Sequence, residues 1–230
     1  MPRTWITALN RYSYPVGLSD YKRADEFPGF FTRAIAGDRA STIEFEDYFR
    51  ATSRHSVEPY FEVVFWVPCG QSKRFEGSVD RIVDHVTKEG IQAEELRGAI
   101  DQFVHDPTRD NLSSLRALLG IKTKVLTVAL TFPAFVDPAR YPMLDKKAAD
   151  WITANYLPHN RNRTVRLTPF SLGYTSLRYN DFDNYLHWVG WCGETAEILT
   201  GKTDMKWRAR DVEMAVFAAA RLNLPLNPLR

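Results

Sequence analysis

The sequence predicts an all-α fold of two helical lobes with a cleft between them, and three observations carry that expectation. Apolar residues recur at helical spacing in segment after segment. The segments stop at residues that stop helices, among them Gly90, Pro107, Gly120 and Gly201. No alternating run is followed by a hairpin turn, and no βαβ rhythm, internal repeat or low-complexity tract occurs.

Ser41-Thr-Ile-Glu44 has the capping-box pattern, and Ile43, Phe45, Tyr48 and Phe49 sit at helical spacing around it. The run from Tyr60 to Val67 is apolar and β-branched. Alone it fits a strand, but helical surroundings assign it to a buried helix. From Phe75 to Glu89, Val79, Ile82, Val83 and Val86 form one stripe that ends at Gly90. Ala93 to His105 repeats the pattern through Leu96, Ile100, Phe103 and Val104, and Pro107 ends it. Asn111 to Leu119 reads as a short amphipathic helix closed by Gly120. Thr123 to Phe132 is almost wholly apolar after Lys124, as a central buried helix is. Helices over 145–156, 181–200 and 207–222 complete the set, with Gly201 terminating the second. The Arg-, Asn-, Thr- and Pro-rich segment 157–179 reads as a long connection. One lobe is expected over 75–155 and a second from 1–74 with 175–230, within a single helical unit.

A chain of 230 residues buries enough surface to fold without a disulfide or metal staple. Cys69 and Cys192 lie far apart with no CxxC spacing, which favours a reducing compartment over a zinc site. No signal-like apolar run or membrane-length stretch occurs, so the expectation is a cytoplasmic protein that does not enter a membrane. Net charge is only +2, but its distribution is uneven. Between Arg109 and Arg166 ten basic residues face only four acidic ones, Asp110, Asp137, Asp145 and Asp150. Such a surplus either follows a phosphate backbone or forms an ordinary solvated basic face.

Leu118-Leu-Gly-Ile-Lys-Thr-Lys-Val125 lies between two helical patterns, in the layout of a helix–hairpin–helix. Such a hairpin offers backbone N–H groups and a helix N-terminus to one phosphate, with Gly120 making the turn and Lys122 and Thr123 adding donors. The contact reads backbone, not sequence.

These residues resemble the helix–hairpin–helix DNA glycosylases, in particular the bifunctional 8-oxoguanine glycosylase/AP lyases. Gly120-Ile-Lys-Thr-Lys124-Val looks like their hairpin followed by Thr-Lys-Val. Tyr141-Pro-Met-Leu-Asp145 resembles their apolar lead-in to a catalytic Asp that opens the next helix. Twenty residues lie between Lys124 and Asp145, close to the family's spacing. The likeness extends over about Leu115 to Trp151. Lys122 stands where the family has a second hairpin glycine, and Leu118-Leu119 where it has Leu-Pro. The resemblance implies double-stranded DNA with a damaged base as partner, no cofactor and no metal, and a monomer. It also implies Lys124 as a nucleophile on C1′ and Asp145 as the stabiliser of the sugar cation.

Elementary chemistry supports those roles. An amine is nucleophilic at neutral pH only when its proton affinity falls. At a helix N-terminus, before Val125, Leu126 and Val128 and near Lys122, the positive end of the dipole, desolvation and like charge all act on Lys124 in that direction. The plainer alternatives are a phosphate contact for Lys124 and a helix cap for Asp145. Base excision also needs a pocket for an extruded nucleotide. Glu213 and Phe217, four residues apart on the last helix, are the candidates for reading and stacking a purine; the alternative is a surface Glu213 and a core Phe217. Trp66, Trp188 and Trp191 are further aromatic candidates. The five histidines show no metal-ligand spacing, and Asp181 and Asp183 read as helix N-terminal charge. Two rival functions remain: a non-catalytic DNA-binding module of the same layout, and a helical interaction protein.

Overall fold

The computed structural model describes residues 2–27, 34–69, 76–122, 126–156 and 182–227. Among them are ten α-helices and one short strand pair, so the all-α expectation holds. The chain packs as two compact units. One draws its described residues from 13–27, 34–69, 76–122 and 131–136; the other from 2–12, 126–130, 137–156 and 182–227. Residues 34–69 therefore pack with 76–122, and residues 137–156 with the C-terminal helices, a division that cuts the sequence elsewhere than at 75 and 155.

The first unit holds α2 (Arg39–Thr52), α3 (Glu58–Cys69), α4 (Glu76–Lys88), α5 (Ala93–His105) and α6 (Arg109–Leu118). Helix α2 begins one turn earlier than the capping-box reading placed it. Asp38 is the N-cap, its carboxylate accepting the Ser41 N–H at 2.8 Å, and Ser41 is already inside the helix. Tyr60 to Val67 are all buried, which is why an apolar, β-branched run is stable as a helix here: every side of α3 meets protein. The stripe Val79, Ile82, Val83 and Val86 is buried on α4, and Leu96, Ile100 and Phe103 are buried on α5. A small antiparallel pair that periodicity did not show, β1 (Val16–Gly17) with β2 (Ala34–Ile35), joins Val16 to Ile35. Two residues per strand are too few to register as an alternating pattern.

Helices α4 and α6 end alike. The Ile91 N–H bonds the Val86 carbonyl at 3.0 Å and the Gly90 N–H the Thr87 carbonyl at 3.2 Å. The Ile121 N–H bonds the Arg116 carbonyl at 2.9 Å and the Gly120 N–H the Ala117 carbonyl at 3.0 Å. Both glycines have positive φ, +66° and +65°, the left-handed termination that glycine adopts without steric cost.

The second unit holds α1 (Pro2–Asn10), α8 (Lys146–Tyr156), α9 (Phe182–Lys202) and α10 (Ala209–Leu222). Helix α10 packs against the other three, and every residue from Ala209 to Ala219 is buried. Trp188 stacks on Trp191 with ring centroids 5.1 Å apart, and Trp5 and Trp151 flank Trp191. Helix α9 runs through Gly201 to Lys202, so that glycine does not end it. Helix α7 (Thr127–Val136) contributes its first residues to this unit and its last six to the other. It starts at Thr127 rather than at 123. Leu126, whose carbonyl accepts the Leu130 N–H at 2.9 Å, is its entry point. No described helix is long and apolar enough to cross a membrane.

Candidate functional site

The segment from Asp137 to Leu144 delivers Asp145 to the start of α8, and it is tied down along its length. The Tyr141 N–H bonds the Asp137 carbonyl at 2.9 Å, closing a turn, and the Arg140 guanidinium lies 4.7 Å over the Tyr141 ring. From α10, the Arg210 N–H reaches the Pro138 carbonyl at 3.1 Å and the Ala209 N–H the Ala139 carbonyl at 3.0 Å. From α9, the Tyr185 hydroxyl donates to the Pro142 carbonyl at 3.2 Å and Trp188 Nε1 to the Met143 carbonyl at 2.8 Å. Tyr141, Met143 and Leu144 are buried. Four donors from two helices thus satisfy the carbonyls of Pro138, Ala139, Pro142 and Met143 in an irregular, largely buried segment.

Asp145 is the N-cap of α8. Its Oδ1 accepts the Ala148 N–H at 2.8 Å, and its carbonyl accepts the Ala149 N–H at 3.0 Å. The residue is half-buried. Burial pushes its carboxyl up to about 6, against the pull of the Ala148 and Lys147 amides and of the Arg210 and Lys147 charges. Desolvation wins over the helix end. A cap at the surface is expected to be ionised throughout; this one changes charge near neutrality. The carboxylate also feels the Lys147 amide, as an N-cap does.

Behind the segment, α10 carries charge inside the core. Arg210 is 1 % exposed and forms an ion pair with Glu213, itself 4 % exposed, one turn along the helix. Asp211 is fully buried and takes Arg208 Nη2 at 2.9 Å and the Arg208 N–H at 3.0 Å. Phe217 is 6 % exposed and meets the Tyr12 ring edge-on, centroids 5.8 Å apart. The two base-pocket candidates are thus engaged within the protein: Glu213 by Arg210, Phe217 by Tyr12. Neither is open to solvent, so neither presents a face to an incoming base. Trp66, Trp188 and Trp191 are core residues too.

Gly120 terminates α6 in the left-handed conformation, and Lys122, two residues on, is exposed. Thr123, Lys124 and the following Val125 lie outside the described residues, as does the connection 157–179. Asp145, Arg210 and Glu213 all belong to the second unit, while Gly120 and Lys122 belong to the first. Among the described residues no group of three His, Cys, Asp or Glu side chains is placed to hold a metal ion. Cys192 is a buried free thiol whose ionisation burial opposes strongly.

The clamp residues Tyr185, Trp188 and Arg210 were not singled out for this role from the sequence. One signal was there for Arg210: Arg208-Ala-Arg-Asp-Val-Glu213 puts four charges at the head of an otherwise apolar helix, and charges buried there need partners at i+3. Comparison of the chain with family models, curated proteins and solved structures returned no match.

Proposed function

We propose that this protein is a DNA glycosylase with AP-lyase activity that excises an oxidised purine of the 8-oxoguanine kind. The carrying observation is Asp145: a helix-capping carboxylate, clamped through the carbonyls before it, whose proton is exchangeable near neutral pH. A catalyst that stabilises a sugar cation needs a negative charge that does not reorganise as the reaction proceeds, and the clamp supplies that rigidity. The first residues of α7, onto which Lys124 leads, pack in the same unit as Asp145.

In this reading the Lys124 amine attacks C1′ of an extruded nucleotide. The N-glycosidic bond breaks and its electron pair leaves with the base, while Nζ–C1′ forms. Opening of the sugar gives a protonated imine, which acidifies the C2′ hydrogen and permits β-elimination of the 3′ phosphate. Asp145 stabilises the positive charge that develops on the sugar. Gly120, Lys122 and Thr123 hold the DNA backbone without reading sequence. Glu213 and Phe217 are buried, paired with Arg210 and packed on Tyr12, and in this reading lesion recognition falls to other residues.

Borohydride reduction in the presence of an 8-oxoguanine or abasic duplex tests this. The expected result is a covalent protein–DNA adduct that disappears in Lys124→Gln. Salt-sensitive binding without an adduct overturns the catalytic reading and leaves a DNA-binding module; absence of binding at low salt overturns both.

A further inference from the structure

Helices α4, α5 and α6 of the first unit line an open groove of about 600 Å³. Its apolar wall comes from Ile91 in the α4–α5 turn, Ala99 on α5 and Leu118 on α6. It follows one face of α5 from Glu94 to Gln102, about 12 Å at the rise of a helix. Glu89, Glu94 and Glu95 line it near the start of α5, and no lysine or arginine lines it among the described residues. Helix α5 itself explains two of these acids. Glu94 and Glu95 lie in its first turn, where the dipole favours a carboxylate, and Glu95 accepts the Gln92 N–H at 2.8 Å.

Two other lining residues act against their own helices. The Glu89 N–H makes the helical bond to the His85 carbonyl at 2.9 Å, so its carboxylate sits at the negative end of α4. Asp80 and Asp84 on the same helix are paired with Lys22 and Arg23, but Glu89 has no ion-pair partner among the described residues. Gly98 is exposed in the middle of α5, where a Cβ would meet nothing within 4 Å. Glycine is a poor helix former, and no neighbour in the fold requires it there. Departures from local preference gather where a surface is used. A cation brought to Glu89 and a backbone packed closely over Gly98 account for both.

We propose that this groove docks an amphipathic helix of a partner protein, its small apolar side chains over Ala99 and Leu118 and a lysine or arginine at Glu89. Helices α5 and α6 pack against each other, and a third helix laid along such a pair covers the apolar seam between them. The carboxylates repel the phosphates of a nucleic acid. A small amine in an open trough stays largely hydrated, whereas a helix buries the whole length of the seam. Such docking does not require that the protein be a glycosylase.

The test is an NMR titration of the full-length protein with a designed helix of about sixteen residues, built from alanine and leucine with lysines clustered at one end. Shifts are expected at the amides of Ile91, Gly98 and Leu118. The same peptide with glutamate in place of lysine should bind about ten-fold more weakly or worse. Glu89→Lys and Gly98→Gln should each weaken binding by about ten-fold while raising the melting temperature, because both substitutions suit their helices better. Lost binding in a more stable variant is not lost folding. Absence of shifts, unchanged affinity in both variants, or an equal response to spermidine or to a DNA duplex each overturns the proposal.

Discussion

His85 and Gly120 are in close approach: a Cβ built on Gly120 would lie 2.4 Å from Cγ of the His85 ring and 2.8 Å from its Cβ. The last turn of α4 is therefore stacked on the turn that follows α6, and that turn is shaped by a neighbour as well as by its own backbone. Gly120→Ala meets both the ring and a φ of +65°. A loss of about 2–4 kcal/mol in unfolding free energy is expected, read by denaturant titration. His85→Ala removes the ring but not its Cβ, so the double variant should recover only part of the loss. Strict additivity in that cycle would show that the clash is not felt.

Asp145 makes stability fall as pH rises. Its folded carboxyl is raised to about 6 from an ordinary value of 3.8. The protonated form is thus favoured by folding, and the associated stability is complete below about 4 and lost as pH rises through 6. Asparagine caps helices as well as aspartate does. Asp145→Asn should therefore equal or exceed wild type in stability at pH 8, and the wild-type minus variant difference should change by about 2–3 kcal/mol between pH 3.5 and 7.5. Asp145→Ala loses the cap as well, about 1 kcal/mol. A flat difference across that range would mean that the carboxylate is not desolvated.

On the proposed glycosylase reading, the same carboxyl should set the acid limb of activity. If Asp145 stabilises a cation it must be ionised, so base release should rise tenfold per pH unit below about 6 and level above it. In Asp145→Asn that limb should vanish along with most of the rate, while DNA affinity stays within a few-fold. Equal losses in rate and affinity would reduce Asp145 to a cap.

How much of this was legible follows from the range of each interaction. The stripe Val79, Ile82, Val83 and Val86 is a local pattern, and α4 lies where that pattern puts it. Asp145 at the opening of α8 was likewise visible, because capping acts over three residues. The capping-box pattern at Ser41 misplaced the start of α2, because Asp38, three residues earlier, is the cap the structure uses. Gly201 sits inside α9 because the chain turns only beyond it, where the Trp207 N–H bonds Thr200 Oγ1 at 2.9 Å and Thr203 Oγ1 bonds the Leu199 carbonyl at 2.8 Å. The supports of Asp145 were not legible. Tyr185 and Trp188 reach carbonyls more than forty residues away, and periodicity records that an aromatic is buried without recording what its polar atom touches.

Those supports make the last prediction. Trp188→Phe keeps an aromatic ring against Trp191 but removes the donor to the Met143 carbonyl, and Tyr185→Phe removes the donor to the Pro142 carbonyl. Each leaves a buried carbonyl unpaired, at about 1–3 kcal/mol. The two bonds hold successive residues of one strap, so loosening either frees part of what the other restrains. The double variant should consequently be less destabilised than the singles combined. Asp145 itself is untouched, and its cap to Ala148 survives. If rigidity of the strap places the carboxylate, base release should drop by ten-fold or more in the double variant, with DNA affinity and the Lys124 adduct retained at long reaction times. Unchanged release at reduced stability would show that the strap secures the fold and that the cap alone positions Asp145.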